Sequence, residues 1–140
     1  MGDFALERVT NRVQQATHAG WRTIGGQRHY FRSRWEANYA HTLQLYLEKG
    51  EIKQWEYEPE TFWFEGIKRG VCSYKPDFRV TENNGEQIYH EVKGWMDKQS
   101  FTKLKRMKLY HPAIKIRVID GKWFAANASK LRWIIKDWEK

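Results

Sequence analysis

The sequence predicts an α+β domain in which helices pack on a mixed central sheet. Two observations carry this prediction. A helical pattern of apolar residues over 33–49 is followed by short segments that alternate between apolar and polar residues, and a second helical segment separates them from a last strand. The predicted order is two helices, four strands, a helix, a strand and a helix, so helices also lie at both ends of the chain. This order is typical of a sheet covered by helices.

Two helices separated by a basic segment begin the chain. Residues 3–18 have helical apolar spacing, with Asp3 as the N-cap. Residues 21–32 are rich in glycine and in basic side chains, and we interpret them as an irregular arm. In the helix over 33–49, Glu36 lies in line with a row of residues that should face the sheet. The other members of this row are Ala40, Leu43 and Leu47.

Alternating segments occupy the middle of the chain. Residues 52–58 and 61–65 predict two strands. Residues 72–80 and 87–94 predict two more, joined by an Asn-Gly turn at residues 84–85, because this dipeptide supplies the positive φ angles that tight turns require. The second pair is therefore expected to form a β-hairpin.

A basic helix, a strand and a final helix complete the predicted fold. The helix over 97–110 ends before Pro112, and residues 114–118 alternate as a half-buried strand does. Residues 120–121, Asp-Gly, are expected to form a turn. Asn127 is then expected to cap the last helix.

Length, charge and cysteine content limit the possible functions. The 140 residues suit one domain over 33–140, preceded by an N-terminal helix and basic arm over 1–32. Lys and Arg outnumber Asp and Glu by 25 to 17, a net charge of +8, which favours nucleic acid as a partner. Cys72 is the only cysteine, so an intrachain disulfide is excluded and a reducing compartment fits. Because the sequence has no apolar run as long as a membrane span, we expect a soluble cytoplasmic protein.

The predicted hairpin carries the candidate site. Folding it at the Asn-Gly turn brings Asp77 close to Glu91, and alternation puts Glu91 and Lys93 on one face of the strand. A two-residue turn would instead set Asp77 opposite Val92, on the wrong face. A three-residue turn or a bulge, with Gly85 in the left-handed conformation, is therefore required. Two carboxylates beside an ammonium predict a divalent-metal site, whereas the alternative is a surface hairpin with ordinary charged residues.

Glu36 is a candidate third carboxylate of this site. It lies three residues after Ser33, which is the pattern of a capping box and needs no metal. An acid on a buried helix face is nevertheless costly unless a positive charge compensates it, and a metal ion or Lys93 would do so. We favour the catalytic interpretation, and capping is compatible with it.

Basic residues form two candidate DNA-binding sets. One lies on the helix over 97–110 and the other in the arm and at the start of the following helix. They are Lys98, Lys103, Lys105, Arg106 and Lys108, and Arg22, Arg28, Arg32 and Arg34. Such residues would neutralise phosphates and make the affinity sensitive to salt. The alternative for the helix is a solvated lysine face. His90 is expected to point away from the acids and to pack in the protein.

The acidic residues and the lysine together carry a resemblance to a known family. The residues concerned are Glu36, Pro76-Asp77 and Glu91-Val92-Lys93. Their order on a helix and two successive strands resembles the PD-(D/E)XK nuclease superfamily, and the element order over 33–119 is similar to its restriction-endonuclease-like αβββαβ core. The segment 32–40 further resembles that of phage endonuclease I type Holliday junction resolvases.

This resemblance implies a role for each residue. Asp77 and Glu91 would bind Mg²⁺ or Mn²⁺ together with the Val92 carbonyl. Glu36 would hold a second ion, or a water on the first. Lys93 would position the attacking water or help to deprotonate it. The products would carry 5′-phosphate and 3′-hydroxyl ends.

The function implied by the resemblance is that of a Mg²⁺-dependent DNA endonuclease. Four-way junctions are the expected substrate, and paired nicks in them require two active sites, hence a homodimer. A phage-encoded protein of this kind would act in the host cytoplasm. Two alternatives stay open: a transposase- or restriction-type endonuclease of the same superfamily acting on duplex DNA, and a non-catalytic nucleic-acid-binding protein.

Overall fold

The computed structural model describes residues 18–140, so the helix predicted over 3–18 lies outside this part of the chain except for its last residue. Three helices and eight strands make up the described part. The helices are α1 (Arg34–Glu48), α2 (Lys98–Tyr110) and α3 (Gly121–Ile134). The strands are β1 (Gly20–Ile24), β2 (Gln27–Phe31), β3 (Gln54–Tyr57), β4 (Phe62–Trp63), β5 (Ser73–Tyr74), β6 (Phe78–Thr81), β7 (Gln87–Val92) and β8 (Lys115–Ile119). None of these helices combines the length and the apolar character that a membrane span requires.

A mixed four-stranded sheet forms the centre of the protein, in the order β3-β6-β7-β8. β6 pairs antiparallel with both β3 and β7, and β8 runs parallel to β7 after the crossover through α2. Two small antiparallel pairs, β1-β2 and β4-β5, lie outside this sheet. The α+β fold class is confirmed, and the central sheet and its helices follow the order helix, three strands, helix and strand that the resemblance implies. Five strands lie between α1 and α2 instead of the four predicted, because residues 72–80 form two short strands, β5 and β6, separated by residues 75–77.

Apolar side chains cover both faces of the central sheet. Phe78 and Val80 of β6 are fully buried in one cluster with Tyr39 and Leu43 of α1. Tyr89, the neighbour of His90 on β7, belongs to a second cluster, because successive strand residues point to opposite faces. The other buried members of this second cluster are Phe62, Phe64, Tyr74 and Met107. The central sheet therefore lies between two packed layers of side chains.

Residues 21–32 are a β-hairpin, and the prediction of an irregular arm is wrong. β1 pairs with β2, and the two glycines form the turn between them, Gly25 at φ 60° and Gly26 at φ 78°. Both values lie in the region that a type I′ turn requires and that glycine adopts at little cost. Ile24 and Phe31 are buried in the same cluster as α1. The hairpin is therefore part of the domain core.

The last helix begins earlier than the sequence pattern indicated. Asp120 is its N-cap, and its carboxylate accepts a hydrogen bond from the Trp123 backbone N–H at 3.1 Å. Gly121 is the first helical residue, and Phe124 buries its ring in the core within the first turn. Asn127 lies inside the helix and donates its side-chain amide to the Trp123 carbonyl at 2.8 Å. Predicting a turn at 120–121 and a cap at Asn127 was wrong, because Asp-Gly also suits a helix start.

Candidate active site

The β6–β7 hairpin brings Asp77 and Glu91 together. Phe78 pairs with His90, so the next position of the same antiparallel register sets Asp77 opposite Glu91. Both carboxylates are nearly buried, with exposed fractions of 7% and 8%. His90 faces the opposite layer, where its Nδ1 lies 2.7 Å from the hydroxyl of Tyr39. The predicted register and the predicted orientation of His90 are confirmed.

A three-residue turn produces this register. The Glu82 N–H donates to the Glu86 carbonyl at 2.8 Å, which closes the loop around residues 83–85. Gly85 occupies the left-handed region with φ 89°, which glycine adopts without steric penalty. The turn therefore has the length and the glycine conformation that the sequence argument required.

The predicted site residues line one cavity of about 170 Å³. They are Glu36, Asp77, Glu91, Val92 and Lys93. Arg32 and Lys103, one from each of the two basic sets, also line it. Acids from α1, β7 and the residue before β6 thus meet beside an ammonium group.

Glu58 joins the acids, although the sequence analysis did not select it. Carboxylate oxygens of Glu36, Glu58 and Asp77 all lie within 4.8 Å of one another. Glu58 directly follows β3, and its N–H donates to the Asp77 carbonyl at 2.8 Å, so the β3–β6 pairing sets its position. Its φ of 46° is uncommon for a residue other than glycine. The sequence placed Glu58 directly before Pro59 at the end of a predicted strand, which could have marked it as a candidate. The sequence did not show that this strand pairs with β6, the strand that follows Asp77.

Two basic side chains partly balance Glu58. Arg32 Nε lies 3.3 Å from one carboxylate oxygen and Lys75 Nζ lies 3.3 Å from the other. Both basic side chains are largely open to solvent, so each ion pair contributes little to stability. Within residues 18–140, the more buried acids Glu36, Asp77 and Glu91 form no ion pair of this kind.

Two buried tyrosines fix the orientation of two of the acids. Tyr57 donates its hydroxyl hydrogen to Glu36 Oε2 at 2.5 Å, and Tyr74 donates to Glu91 Oε2. Burial, followed by the adjoining carboxylate, raises the pKa of each tyrosine well above its usual value, so both stay hydrogen-bond donors. The sequence analysis missed both, because aromatic residues in strands usually indicate core packing.

Burial, and after it the charge of neighbouring acids, raises the pKa values of the carboxylates. Burial, and then the charge of Asp77, raises the pKa of Glu36 to about 7. Burial, and then the neighbouring Glu91 carboxylate, holds the pKa of Asp77 well above its usual range, although the Val92 N–H donates to Asp77 Oδ2 at 2.8 Å. Burial also raises the pKa of Glu91, against the opposing effects of Tyr74 and Lys93. The cluster therefore favours an added positive charge, whether a proton or a cation.

Glu36 both caps its helix and belongs to the acid cluster. Ser33 Oγ accepts a hydrogen bond from the Glu36 N–H at 3.1 Å, and Glu36 Oε2 accepts one from the Arg32 N–H at 3.4 Å. The N-terminal end of α1 carries a partial positive charge that favours a carboxylate there. The two interpretations of Glu36 are compatible in this geometry.

Comparison with known proteins identifies a family. Residues 20–136 match the model of the family described as Protein of unknown function (DUF1064). The chain belongs to the DUF1064 family. A search of curated proteins returned no match. The DUF1064 match runs from the first residue of β1 to two residues beyond α3, so it includes the β1–β2 hairpin and all the acids of the cavity.

Two of the arginines of the first basic set are tied into the fold of this DUF1064 protein. Arg22 forms an ion pair and Arg34 donates a hydrogen bond to a main-chain carbonyl. Their partners are the Glu139 carboxylate and the Lys140 carbonyl. Arg28 and Arg32 are exposed, and Arg32 reaches the acid cavity. Arg28 and Arg32 are therefore better placed than Arg22 and Arg34 to contact a ligand.

The second basic set lies on α2. Asp97 caps this helix by accepting the Ser100 N–H at 2.7 Å. Arg106 donates to the Val71 carbonyl and so anchors the loop before β5. The remaining members are the cavity-lining Lys103 and the solvent-exposed Lys98, Lys105 and Lys108. The helix thus presents ammonium groups both at the cavity and along its outer surface.

Proposed function

We propose that this protein is a metal-dependent DNA endonuclease that hydrolyses phosphodiester bonds, acting as a structure-selective resolvase of DNA junctions. The observation that carries the proposal is the convergence of three acids and a lysine on one small cavity, with a fourth acid, Glu58, close to two of them. Glu36, Glu58 and Asp77 approach one another within 4.8 Å, and Glu91 and Lys93 line the same cavity as Glu36 and Asp77. Like charges at this spacing are unfavourable without a cation, so the arrangement is better explained by function than by stability.

The ligand atoms suit Mg²⁺ or Mn²⁺. The acids offer oxygen atoms only, which hard divalent cations prefer. Their pKa values are raised by burial and then by neighbouring negative charge, and a bound cation would compensate both effects. Asp77, Glu91 and the Val92 carbonyl would hold the ion, with Glu36 and Glu58 at its side. When bound, such an ion acidifies a water molecule and polarises the phosphate.

The residues around the ion would orient the reactants. Lys93 would hold the attacking water and offset charge that develops on the phosphate. Tyr57 and Tyr74 would keep their carboxylates in one orientation, as groups behind metal ligands do. Arg32 and Lys103 would contact phosphate oxygens at the cavity mouth.

The resemblance to PD-(D/E)XK nucleases supports the same proposal. An acid on the first helix, another before the second sheet strand and a Glu-x-Lys pair on the third strand follow that superfamily's order on an αβββαβ arrangement. The net charge of +8 favours a DNA partner. A homodimer would supply the two active sites that paired nicks require. The single cysteine fits the reducing cytoplasm as the compartment.

The test is cleavage of a labelled four-way junction and of a linear duplex of matched sequence. Each is incubated with the parent protein in Mg²⁺, Ca²⁺ or EDTA. We expect symmetric nicks in the junction with Mg²⁺ alone. Asp77→Asn should reduce the cleavage rate by more than about 100-fold, while junction binding persists. A loss of up to roughly 100-fold is typical when a group that only hydrogen-bonds to a metal ligand is removed, and Asp77 is proposed as a ligand itself. Asp137→Asn, the same change at an exposed position, is the matched control and should cut normally.

Each other outcome assigns a different function. Cleavage of the linear duplex at defined sequences would indicate a restriction- or transposase-type endonuclease. Binding without any cleavage would indicate a non-catalytic binder. Equal cleavage by Asp77→Asn and the parent protein would refute the proposed metal site, because the substitution removes a carboxylate that the mechanism requires.

A further inference from the structure

The outer face of the β1–β2 hairpin carries two large aromatic rings in the open. Trp21 and Tyr30 pair across the strands, and their side chains are 60% and 50% exposed. The rings meet edge to face with centroids 5.6 Å apart. Arg28, on the same face, places its guanidinium carbon 4.7 Å from the centroid of Trp21. Together with Thr23, which pairs with Arg28, these residues form what we call the outer hairpin face.

Packing does not require rings on this face. The inner side of the hairpin supplies the core contacts, through Ile24 and Phe31, which are 2% and 0% exposed. A cross-strand aromatic pair contributes only about 0.2–1 kcal/mol to such a hairpin. Antiparallel pairs with one buried face usually present polar residues on the other. The aromatic pair therefore indicates a surface for recognition.

The outer hairpin face lies next to the acid cavity. Tyr30 is two residues before Arg32, which directly follows β2, so their Cα atoms are at most about 7 Å apart. Arg32 lines the cavity and forms an ion pair with Glu58. A DNA strand whose phosphate lies in the cavity would thus have neighbouring nucleotides at these rings, since nucleotides are spaced about 3.4 Å apart along a helical strand.

We propose that the outer hairpin face binds unpaired nucleotides beside the scissile phosphate, and that the branched DNA substrate accordingly has unpaired nucleotides at the cleavage point. This inference depends on the proposed nuclease function. Rings and guanidinium planes stack on bases only where the bases have left the duplex. Arg28 supplies both a stacking plane and a positive charge for the adjoining phosphate. An intact duplex offers this surface no base faces.

The experiment compares the binding of two fluorescent DNAs in EDTA, a blunt duplex and the same duplex with a single-stranded tail. The parent protein should prefer the tailed DNA. Trp21→Ala and Tyr30→Ala should each weaken binding of the tailed DNA by about 5- to 150-fold, the range for loss of one stacked base. Binding of the blunt duplex should change less than twofold. Trp133→Ala removes a ring that is 90% exposed elsewhere and is the matched control, with no change expected.

Several outcomes would overturn this inference. Equal losses on both DNAs would assign the rings to general DNA affinity or to folding. Unchanged affinity together with an altered melting temperature or molecular mass would assign the face to residues 1–17 or to a second copy of the chain. Trp21→Phe should retain part of the preference for the tailed DNA, and a variant with full loss would argue against stacking.

The failure of this inference is distinguishable from failure of the proposed function. Mg²⁺-dependent cleavage that Asp77→Asn abolishes, without any preference for tailed DNA, would leave the nuclease proposal standing and refute the role of the hairpin. A preference for tailed DNA that the ring substitutions abolish, in a protein that cuts no DNA, would refute the nuclease proposal and leave only the binding of unpaired nucleotides by the hairpin.

Discussion

Replacing Glu36 with glutamine should stabilise the metal-free protein at alkaline pH. Burial and the charge of Asp77 raise the pKa of Glu36 from its ordinary 4.5 to about 7. Between these values the folded protein holds a proton that the unfolded chain releases, so stability falls as the pH rises through this window. Above it, ionised Glu36 destabilises the fold by about 3 kcal/mol, at 1.36 kcal/mol per pKa unit. Glutamine keeps the shape and still accepts the Tyr57 hydrogen bond, but carries no charge.

The assay is urea denaturation in EDTA at pH 4.5 and pH 8. At pH 8 we expect Glu36→Gln to be more stable than the parent by about 2–3 kcal/mol. The gain is slightly below the full value of about 3 kcal/mol because the pKa values of the neighbouring acids are coupled to that of Glu36. At the acidic pH the difference should shrink to within about 1 kcal/mol, because Glu36 is then largely protonated. Glu48→Gln, the same change at an exposed position of α1, should alter stability by less than about 0.5 kcal/mol at either pH.

One pattern would refute this electrostatic argument. If Glu36→Gln destabilises the protein equally at both pH values, the carboxylate is a structural hydrogen-bonding group and its ionised form does not destabilise the fold. A gain of equal size at both values would point to packing instead. Only a gain in the free energy of unfolding that increases with pH agrees with a buried Glu36 whose pKa is raised.

Two further predictions concern the surroundings of the acids. Tyr74→Phe removes the hydroxyl that donates to Glu91 and should weaken Mn²⁺ binding, measured by calorimetry, about 10-fold; unchanged binding would mean that the hydroxyl does not orient the ligand. Replacing both Lys105 and Lys108 with alanine should lower DNA affinity and reduce the slope of log K against log salt by about one for each lost phosphate contact. An unaltered slope would assign these exposed lysines to a solvated face.

Local patterns allowed the β6–β7 hairpin to be predicted closely. Alternation predicted the faces of both strands, and the Asn-Gly dipeptide predicted where the chain turns. The three-residue turn that sets Asp77 opposite Glu91 was required by the metal interpretation and is present in the structure. Glu36 was found in a similar way, because its helical spacing places it in one row with apolar residues that face the sheet. These features depend on neighbours within one element or across one tight turn, where periodicity and turn chemistry are strong signals.

Residues brought in by distant pairings could not be found in this way. Glu58 and Tyr57 reach the site because β3 pairs with β6 across the inserted β4–β5 segment, and no short turn fixes that register in the sequence. The β1–β2 hairpin was missed because its Gly-Gly turn and its basic residues are also typical of a flexible arm. The start of α3 was misplaced because Asp120-Gly121 suits a turn and a helix cap equally well.

The loop between β6 and β7 also limits how this chain can vary. If the same sequence turned at residues 84–85 alone, one strand would slide by a single position and exchange every inward side chain for an outward one. Asp77 would then face a neighbour of Glu91 instead of Glu91 itself. Added residues only enlarge a flexible loop, at roughly 0.6 kcal/mol for each doubling of its length. Length changes among related sequences should therefore be tolerated in this loop as long as Glu82 still pairs with Glu86, because this closing pair sets which residue Asp77 faces.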